Sequence, residues 1–317
     1  LHDNGLVEKA LKDNLDLNYH EKRKFFERFR DHCIIGEQNI KGFPFLTDTK
    51  DVIKYHHERY DGKGYYRVKG EDIPLMAQII SVSDIIDAEF NIKESYEEKV
   101  EKIAAYLKEK ENKIASTRVI QAFNKVSNRT SFGLDLKDEF INKAFERSLP
   151  PFKQKLSYSQ IRDITKVFSK IIDCKSRFTS EHSSGLAEKV EKMAEYYNKS
   201  EEEKIKLAIA ADLHDIGKLA VSNSILEKPS KLNDEEFKIM KAHTYYTRIC
   251  LESLDGFEDI VEWSSNHHEK LNGEGYPFGI SADELDFNAR LMGCLDVYQA
   301  LTEERPYRKG MSHDKAM

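Results

Sequence analysis

The chain has 317 residues, of which 39% are hydrophobic and 33% charged, and a formal net charge of −6. The length exceeds the usual single domain and predicts two. The composition is that of a globular protein. No apolar run approaches the roughly 18 residues of a membrane span, and no secretory segment opens the sequence. The acidic balance argues against a surface for polymeric nucleic acid, yet leaves room for a small anion held by local cations and metals. Cys33, Cys174, Cys250 and Cys294 show no CxxC spacing, which predicts buried thiols in a reducing, cytoplasmic compartment.

Taken in chain order, nearly every segment reads as helix, and only seven prolines interrupt. In the first half, Asp61-Gly62-Lys63-Gly64-Tyr65-Tyr66 is a glycine-rich turn. The alternating charges of Glu97 to Lys113 predict a solvated helix face. Pro150-Pro151 breaks the pattern, so domains are expected at 1–150 and 151–317. A helix from about Leu156 to Cys174 then opens the second half, followed by an amphipathic stretch over 184–197 through Leu186, Val190 and Met193. Ser200 with Glu203 forms a capping box, and Ile205, Ala208, Ile209 and Leu213 fall on one helical face. His214-Asp215 ends that helix, with Gly217 expected to mark its close. Asn233 with Glu236 caps a helix carrying Phe237, Met240 and His243. Asn272-Gly273-Glu274-Gly275-Tyr276-Pro277 is a second glycine-rich turn.

One set of residues occurs twice. His2-Asp3, His32, His56-His57 and Asp84 recur as His214-Asp215, His243, His267-His268 and Asp296, each offset by 211 or 212 residues. With His182, nine of the eleven histidines belong to this pattern. The chain starts without methionine directly on the first pair, and few residues follow Asp296, so both ends are expected to be cut. Any sensory domain would lie outside this sequence.

Imidazoles and carboxylates together suit iron, manganese, zinc or nickel. The seven candidates of the second half, His182, His214, Asp215, His243, His267, His268 and Asp296, exceed the needs of one ion. A carboxylate can bridge two ions in two-metal hydrolysis of phosphoesters, and Asp215 is the best bridging candidate. Lys218, four residues after His214, can stabilise developing charge. Arg290, Arg305 and Arg308 flank Asp296 and suit phosphate. Taken singly each residue is unremarkable surface or core; their ordered repetition is what carries the reading.

His214-Asp215-Ile216-Gly217-Lys218, His267-His268-Glu269, Gly275-Tyr276-Pro277 and Arg305-Pro306-Tyr307-Arg308 together resemble the HD-GYP branch of the HD metal-dependent phosphohydrolases. The resemblance is strong over about 160–317 and weaker over 1–97. It implies an all-α fold of two tandem HD-type helical domains, a two- or three-metal site and hydrolysis of a cyclic dinucleotide, usually cyclic di-GMP opened to pGpG and on to GMP. It further implies that His182, His214, Asp215, His243, His267, His268 and Asp296 are ligands, that Lys218 is the catalytic lysine and that Arg290, Arg305 and Arg308 lie near substrate. The Gly275-Tyr276-Pro277 loop is expected to be structural and to meet a signalling partner. Phe178 stands where three-metal members carry glutamate, which favours two divalent ions per site, iron or manganese before zinc or nickel. Asn272 replaces the usual aspartate of the signature loop.

The first copy keeps His2, Asp3, His32, His56, His57 and Asp84 as a second candidate metal site. Leu6 stands at its lysine position, Tyr66 at the signature proline, Gln78 at Arg290, and Lys93-Glu94-Ser95-Tyr96 at the arginine segment. A regulatory or structural role is expected of it. Two further readings are a dinucleotide sensor without hydrolysis and an HD phosphohydrolase acting on another nucleotide.

Overall fold

The computed structural model describes residues 19–90, 96–149, 154–175, 182–303 and 309–317, with the backbone alone for 19–29, 97–98, 174, 182 and 184. All regular structure among the described residues is helical, apart from the isolated β-bridges Glu111–Ala115 and Asn272–Ser281. Among them, no helix is long and apolar enough to cross a membrane. Contacts divide the chain into two compact units, Leu1–Gln154 and Lys155–Met317. The expected breakpoint, Pro150-Pro151, lies outside the described residues.

The first unit contains α1 (Tyr19–Ile40), α2 (Leu75–Phe90), α3 (Tyr96–Glu109), α4 (Thr117–Ser127), α5 (Thr130–Asp135) and α6 (Ile141–Ser148). Helix α3 explains the charge run over 97–113. Glu101, Lys102, Lys108 and Glu109 are exposed, while Ile103 and Leu107 are fully buried against Ile86 and Ile120. The segment is therefore half core, not merely a solvated face. A smaller cluster of Val52, Ile73 and Ala77 sits beneath the loop between α1 and α2.

The second unit contains α7 (Tyr158–Lys175), α8 (His182–Tyr196), α9 (Glu201–Leu213), a 3-10 turn over Ile216–Ala220, α10 (Asn223–Leu226), α11 (Asp234–Leu251), α12 (Glu258–Ser265), α13 (Phe287–Thr302) and α14 (His313–Ala316). Both expected capping boxes form. Ser200 and Glu203 exchange side-chain-to-backbone bonds at the start of α9, as Asn233 and Glu236 do for α11, satisfying amide groups that the first helical turn leaves open. The amphipathic reading of α9 holds only for its start. From Leu207 to Leu213 every residue is buried, because α7, α8 and α12 all pack on this helix. Each fully buried leucine or isoleucine there contributes about 2 kcal/mol from apolar transfer.

The expectation of buried thiols holds for one of the three cysteines described. Cys33 is buried, whereas Cys250 and Cys294 are exposed. Both exposed cysteines lie in helices whose other faces already fill the core, so the thiols fall on the solvent side.

One polar group is placed inside this core. Asp212 is 1% exposed and accepts from Arg162 Nη1 of α7 and from Thr165 Oγ1 at 2.7 Å. Arg162 also reaches Glu191 of α8 at 3.4 Å. The pair ties three helices together two residues before His214. Arg162→Met is expected to destabilise the fold by about 3 kcal/mol, since it strands a buried carboxylate. Arg162→Met with Asp212→Leu should recover most of that loss. Urea denaturation of both variants checks this, and equal stability of the single and double variants would contradict it.

Candidate metal centre

Three histidines of the second unit share one local geometry. His214 Nδ1 lies 2.8 Å from the Ala211 carbonyl, His243 Nδ1 2.7 Å from that of Met240, and His267 Nδ1 2.6 Å from that of Ser264. In each case the partner is three residues earlier, where a helical turn brings carbonyl and ring together. A carbonyl only accepts, so Nδ1 carries the proton and Nε2 is left as a ligand lone pair. The Nε2 atoms of His243 and His267 and Oδ1 of Asp215 are buried without a hydrogen-bond partner. Buried acceptors left this way cost free energy unless a cation or donor meets them. Candidate ligand atoms form two overlapping groups, His243-His267-His268 and His214-Asp215-His267, each within 4.8 Å. The donor set therefore fits divalent transition metal ions.

Asp215 faces both groups. Its Oδ2 lies 3.2 Å from His214 Nε2, and its Oδ1 lies 3.4 Å from His243 Nε2. Lys218 Nζ is 2.5 Å from the same Oδ2. Asp296 completes the set, 3.8 Å from His214 Nε2 through Oδ1 and 3.8 Å from His268 Nδ1 through Oδ2. Burial opposes ionisation of Asp215, yet His214 and Lys218 beside it hold its carboxyl well below the usual range. Burial pushes His243 down to about 4 and His267 and His268 to about 3. All three are neutral near pH 7, the state that coordinates a metal.

Close packing sets these positions. Helix α9 ends at Leu213, and Gly217 lies within the 3-10 turn that follows; it is not a helix stop. A Cβ at Gly217 would fall 1.9 Å from the His243 carbonyl oxygen. The missing side chain is what lets the His-Asp turn lie against α11. Thr247 of α11 seals the contact, donating to the His214 carbonyl at 2.8 Å and accepting from Gly217 N at 3.1 Å. Gly293 of α13 plays the same part beside His267, whose carbonyl oxygen a Cβ there would approach to 2.7 Å. In the signature loop Gly275 crosses Glu269, with a hypothetical Cβ 2.4 Å from its Cα. Glu269 Oε1 accepts from Phe278 N at 2.7 Å and Gly279 N at 3.1 Å. The loop so held places the Tyr276 ring 5.0 Å from that of His268, and burial pushes the Tyr276 phenol up.

The sequence matches the HD domain family over residues 10–113 and 166–317. The chain belongs to that family. Its signature loop and the relatives it aligns with place it in the HD-GYP branch. It is 33% identical to 3'3'-cGAMP-specific phosphodiesterase 3 of Vibrio cholerae over 92% of the chain, and spans 63% of that relative's length. Over 34% of the chain it is 40% identical to cyclic di-GMP phosphodiesterase PA4108 of Pseudomonas aeruginosa, 27% of whose length it spans. The crystal structure of a cyclic GMP-AMP specific phosphodiesterase from V. cholerae superposes on all of the chain and 76% of that structure, with a TM-score of 0.62 at 27% identity.

Both halves matched to the HD domain family carry the repeated geometry. In the first unit His56 Nδ1 is 2.5 Å from the Ile53 carbonyl, and His57 Nδ1 is 3.9 Å from Asp84 Oδ2. His32, His56 and His57 form one candidate ligand group. Glu58 repeats Glu269, accepting from Tyr66 N at 2.6 Å and Val68 N at 2.8 Å. Asp61 Oδ1 accepts from Lys63 N, and Asn272 Oδ1 accepts from Glu274 N, so the replacement of aspartate by asparagine leaves the turn intact.

Of the candidate site residues, the structure gathers His214, Asp215, Lys218, His243, His267, His268 and Asp296 in one unit, and His32, His56, His57 and Asp84 in the other. His2, Asp3, Arg305 and Arg308 lie outside the described residues, as do Leu6, Phe178 and most of the Lys93–Tyr96 segment. His182 opens α8, and its side chain is likewise outside. Arg290 is committed to the backbone: Nε donates to the Leu285 carbonyl at 2.9 Å and Nη2 to that of Ala282. Gln78 makes the equivalent bond to Ile73 at 3.0 Å. The Arg290-to-Gln78 difference therefore preserves a helix-anchoring contact that charge alone did not reveal. Sequence reasoning also missed Asp173, which accepts from Ser183 N at 3.2 Å and Oγ at 2.7 Å and fixes the first turn of α8. Thr247 was missed as well. Thr247 belongs to no metal-ligand residue class, and Asp173 has no counterpart at the 211- or 212-residue offset, so the repeated spacing had no access to either.

Two outcomes follow from this packing and charge. Gly217→Ala should destabilise the second unit by about 2 kcal/mol or more through overpacking and lower its bound metal, read by thermal unfolding and metal analysis; wild-type values for both would contradict the close approach. The second concerns pH. Below the ordinary histidine value of 6.5 the unfolded chain takes up protons that folded His243, His267 and His268 refuse until about 4, 3 and 3. The stability of the chelator-treated chain should thus be level above pH 6.5. As pH falls towards 4 it should decline by on the order of 1 kcal/mol per histidine per pH unit. Denaturant titrations between pH 8 and 4.5 check it, and a flat profile would rule it out.

Proposed function

We propose that the chain is a metal-dependent phosphodiesterase that hydrolyses a cyclic dinucleotide, with the reaction centred on the second unit. The observation that carries the reading is Asp215. One oxygen of this buried carboxylate faces His214 and Lys218, and the other faces His243. That disposition suits a carboxylate shared by two ions, iron or manganese before zinc or nickel. When bound, such ions supply Lewis acidity toward a phosphate oxygen and toward water. The two closely aligned relatives are named for cyclic dinucleotides, which supports that substrate class.

The protein's own groups then have distinct tasks. His214, His243, His267 and His268 present nitrogen donors, three of them with ring orientation set by backbone carbonyls. Burial keeps the imidazoles of His243, His267 and His268 neutral and excludes competing water. Lys218 brings a cation to the edge of the cluster, partly exposed and able to follow a phosphate oxygen as charge develops. Arg305 and Arg308, outside the described residues, are the arginines that the family resemblance assigns to substrate phosphate, and the Gly275-Tyr276-Pro277 loop walls the site and offers a surface for a signalling partner. The first unit, with Leu6 at the lysine position, is regulatory or structural.

The deciding experiment is product analysis of the anaerobically purified chain, with metal quantified, against cyclic di-GMP and 3'3'-cGAMP. Linear dinucleotide and mononucleotide should appear. Asp215→Ala should abolish turnover and lower metal content. Lys218→Ala should cut kcat about a hundredfold with metal retained, the scale of removing one charge-stabilising donor. His56→Ala with His57→Ala should leave turnover within several-fold. Metal loss in the lysine variant would contradict its role. Intact dinucleotide despite full metal loading would favour a sensor without hydrolysis.

A further inference from the structure

One aromatic ring beside the signature loop has no part in the scheme above. Phe237, in the first turn of α11, is left 47% exposed although it is wholly apolar. Leaving such a ring in water forgoes about 2 kcal/mol of burial. Its neighbours are specific. Tyr276 meets Phe237 edge to face, with centroids 6.4 Å apart and planes at 82°. Tyr276 in turn lies against His268. Lys241, one helical turn after Phe237, holds its ammonium 5.2 Å from the Phe237 centroid and 5.8 Å from that of Tyr276. Two rings and a cation are thus continuous with a histidine of the candidate metal centre.

This arrangement matches the part of the substrate that the metal centre does not address. Metals and Lys218 take a phosphodiester; a dinucleotide also brings flat bases that need an apolar surface. We propose that Phe237, braced by Tyr276 and Lys241, is the base-stacking residue of this site. One nucleobase lies on the outer face of the Phe237 ring while its phosphate reaches toward the histidine cluster. Lys241 braces both rings by cation–π attraction and adds positive charge for the phosphates. Stacking on a ring is tolerant of base identity, because every base has a π face. The residue therefore raises affinity for guanine- and adenine-containing dinucleotides alike, and does not choose between them.

The inference rests on the phosphodiesterase reading, and its test separates the two. In the full metal-loaded chain, Phe237→Ala should raise KM for both cyclic di-GMP and 3'3'-cGAMP about tenfold, or about 1.4 kcal/mol. Its kcat should stay within about twofold and its metal content should not change. Phe237→Trp should restore the parent KM. An unchanged KM in the alanine variant overturns the proposal. So does a fall in kcat or metal content as large as the change in KM, or a tryptophan variant that behaves like alanine, because each marks a packing role. If the parent turns over neither dinucleotide, hydrolysis is excluded on its own. Equilibrium dialysis of the same two compounds then decides the stacking: tenfold weaker binding by Phe237→Ala supports it, and equal binding or none by the parent overturns it.

Discussion

A hydrogen bond from a histidine Nδ1 to the carbonyl three residues earlier underlies the whole centre. It occurs at His214, His243 and His267, and again at His56 in the first unit. The bond sets the tautomer and the ring plane together and leaves Nε2 as the ligand atom. Ligand direction is thereby built from backbone geometry, which a helix or turn supplies without any further side chain. What remains is to bring the helices close enough for those lone pairs to meet.

Small residues and hydroxyls do that. Gly217 lets the His-Asp turn lie on α11, Gly293 lets α13 lie on the His267 carbonyl, and Thr247 joins the His214 carbonyl to the Gly217 amide. Behind them the buried Arg162–Asp212 pair anchors α7 to the end of α9. The result is a rigid pocket in which neutral His243, His267 and His268 and an ionised Asp215 coexist. Burial lowers the values of those three histidines, and His214 and Lys218 beside Asp215 offset what burial would otherwise do to its carboxyl.

The two copies diverge in the supports more than in the ligands. His56, His57, Glu58 and Asp84 repeat the bonds of His267, His268, Glu269 and Asp296 closely. Gln78 and Arg290 anchor the same backbone position through different side chains. At the place of Thr247, however, the first copy has Gly36, which has no hydroxyl to bridge a His-Asp turn. Leu6 in place of Lys218 points the same way. The connecting groups thus differ between the copies, while the geometry of His32, His56, His57 and Asp84 is kept.

The sequence by itself determined the helical class and both capping boxes and marked a repeated His/Asp set, because hydrophobic period, cap chemistry and a repeated offset are local or one-dimensional signals. It could not tell that Gly217 serves a close approach instead of a helix stop, since that depends on a carbonyl of His243 far along the chain. Nor could it tell that Arg290 spends its donors on backbone, that every side of α9 beyond Leu207 is covered, or that Phe237 stands exposed beside Tyr276. Those were decided by tertiary structure: which face of a helix is covered, and which donor is already engaged, depends on neighbours brought together only by packing.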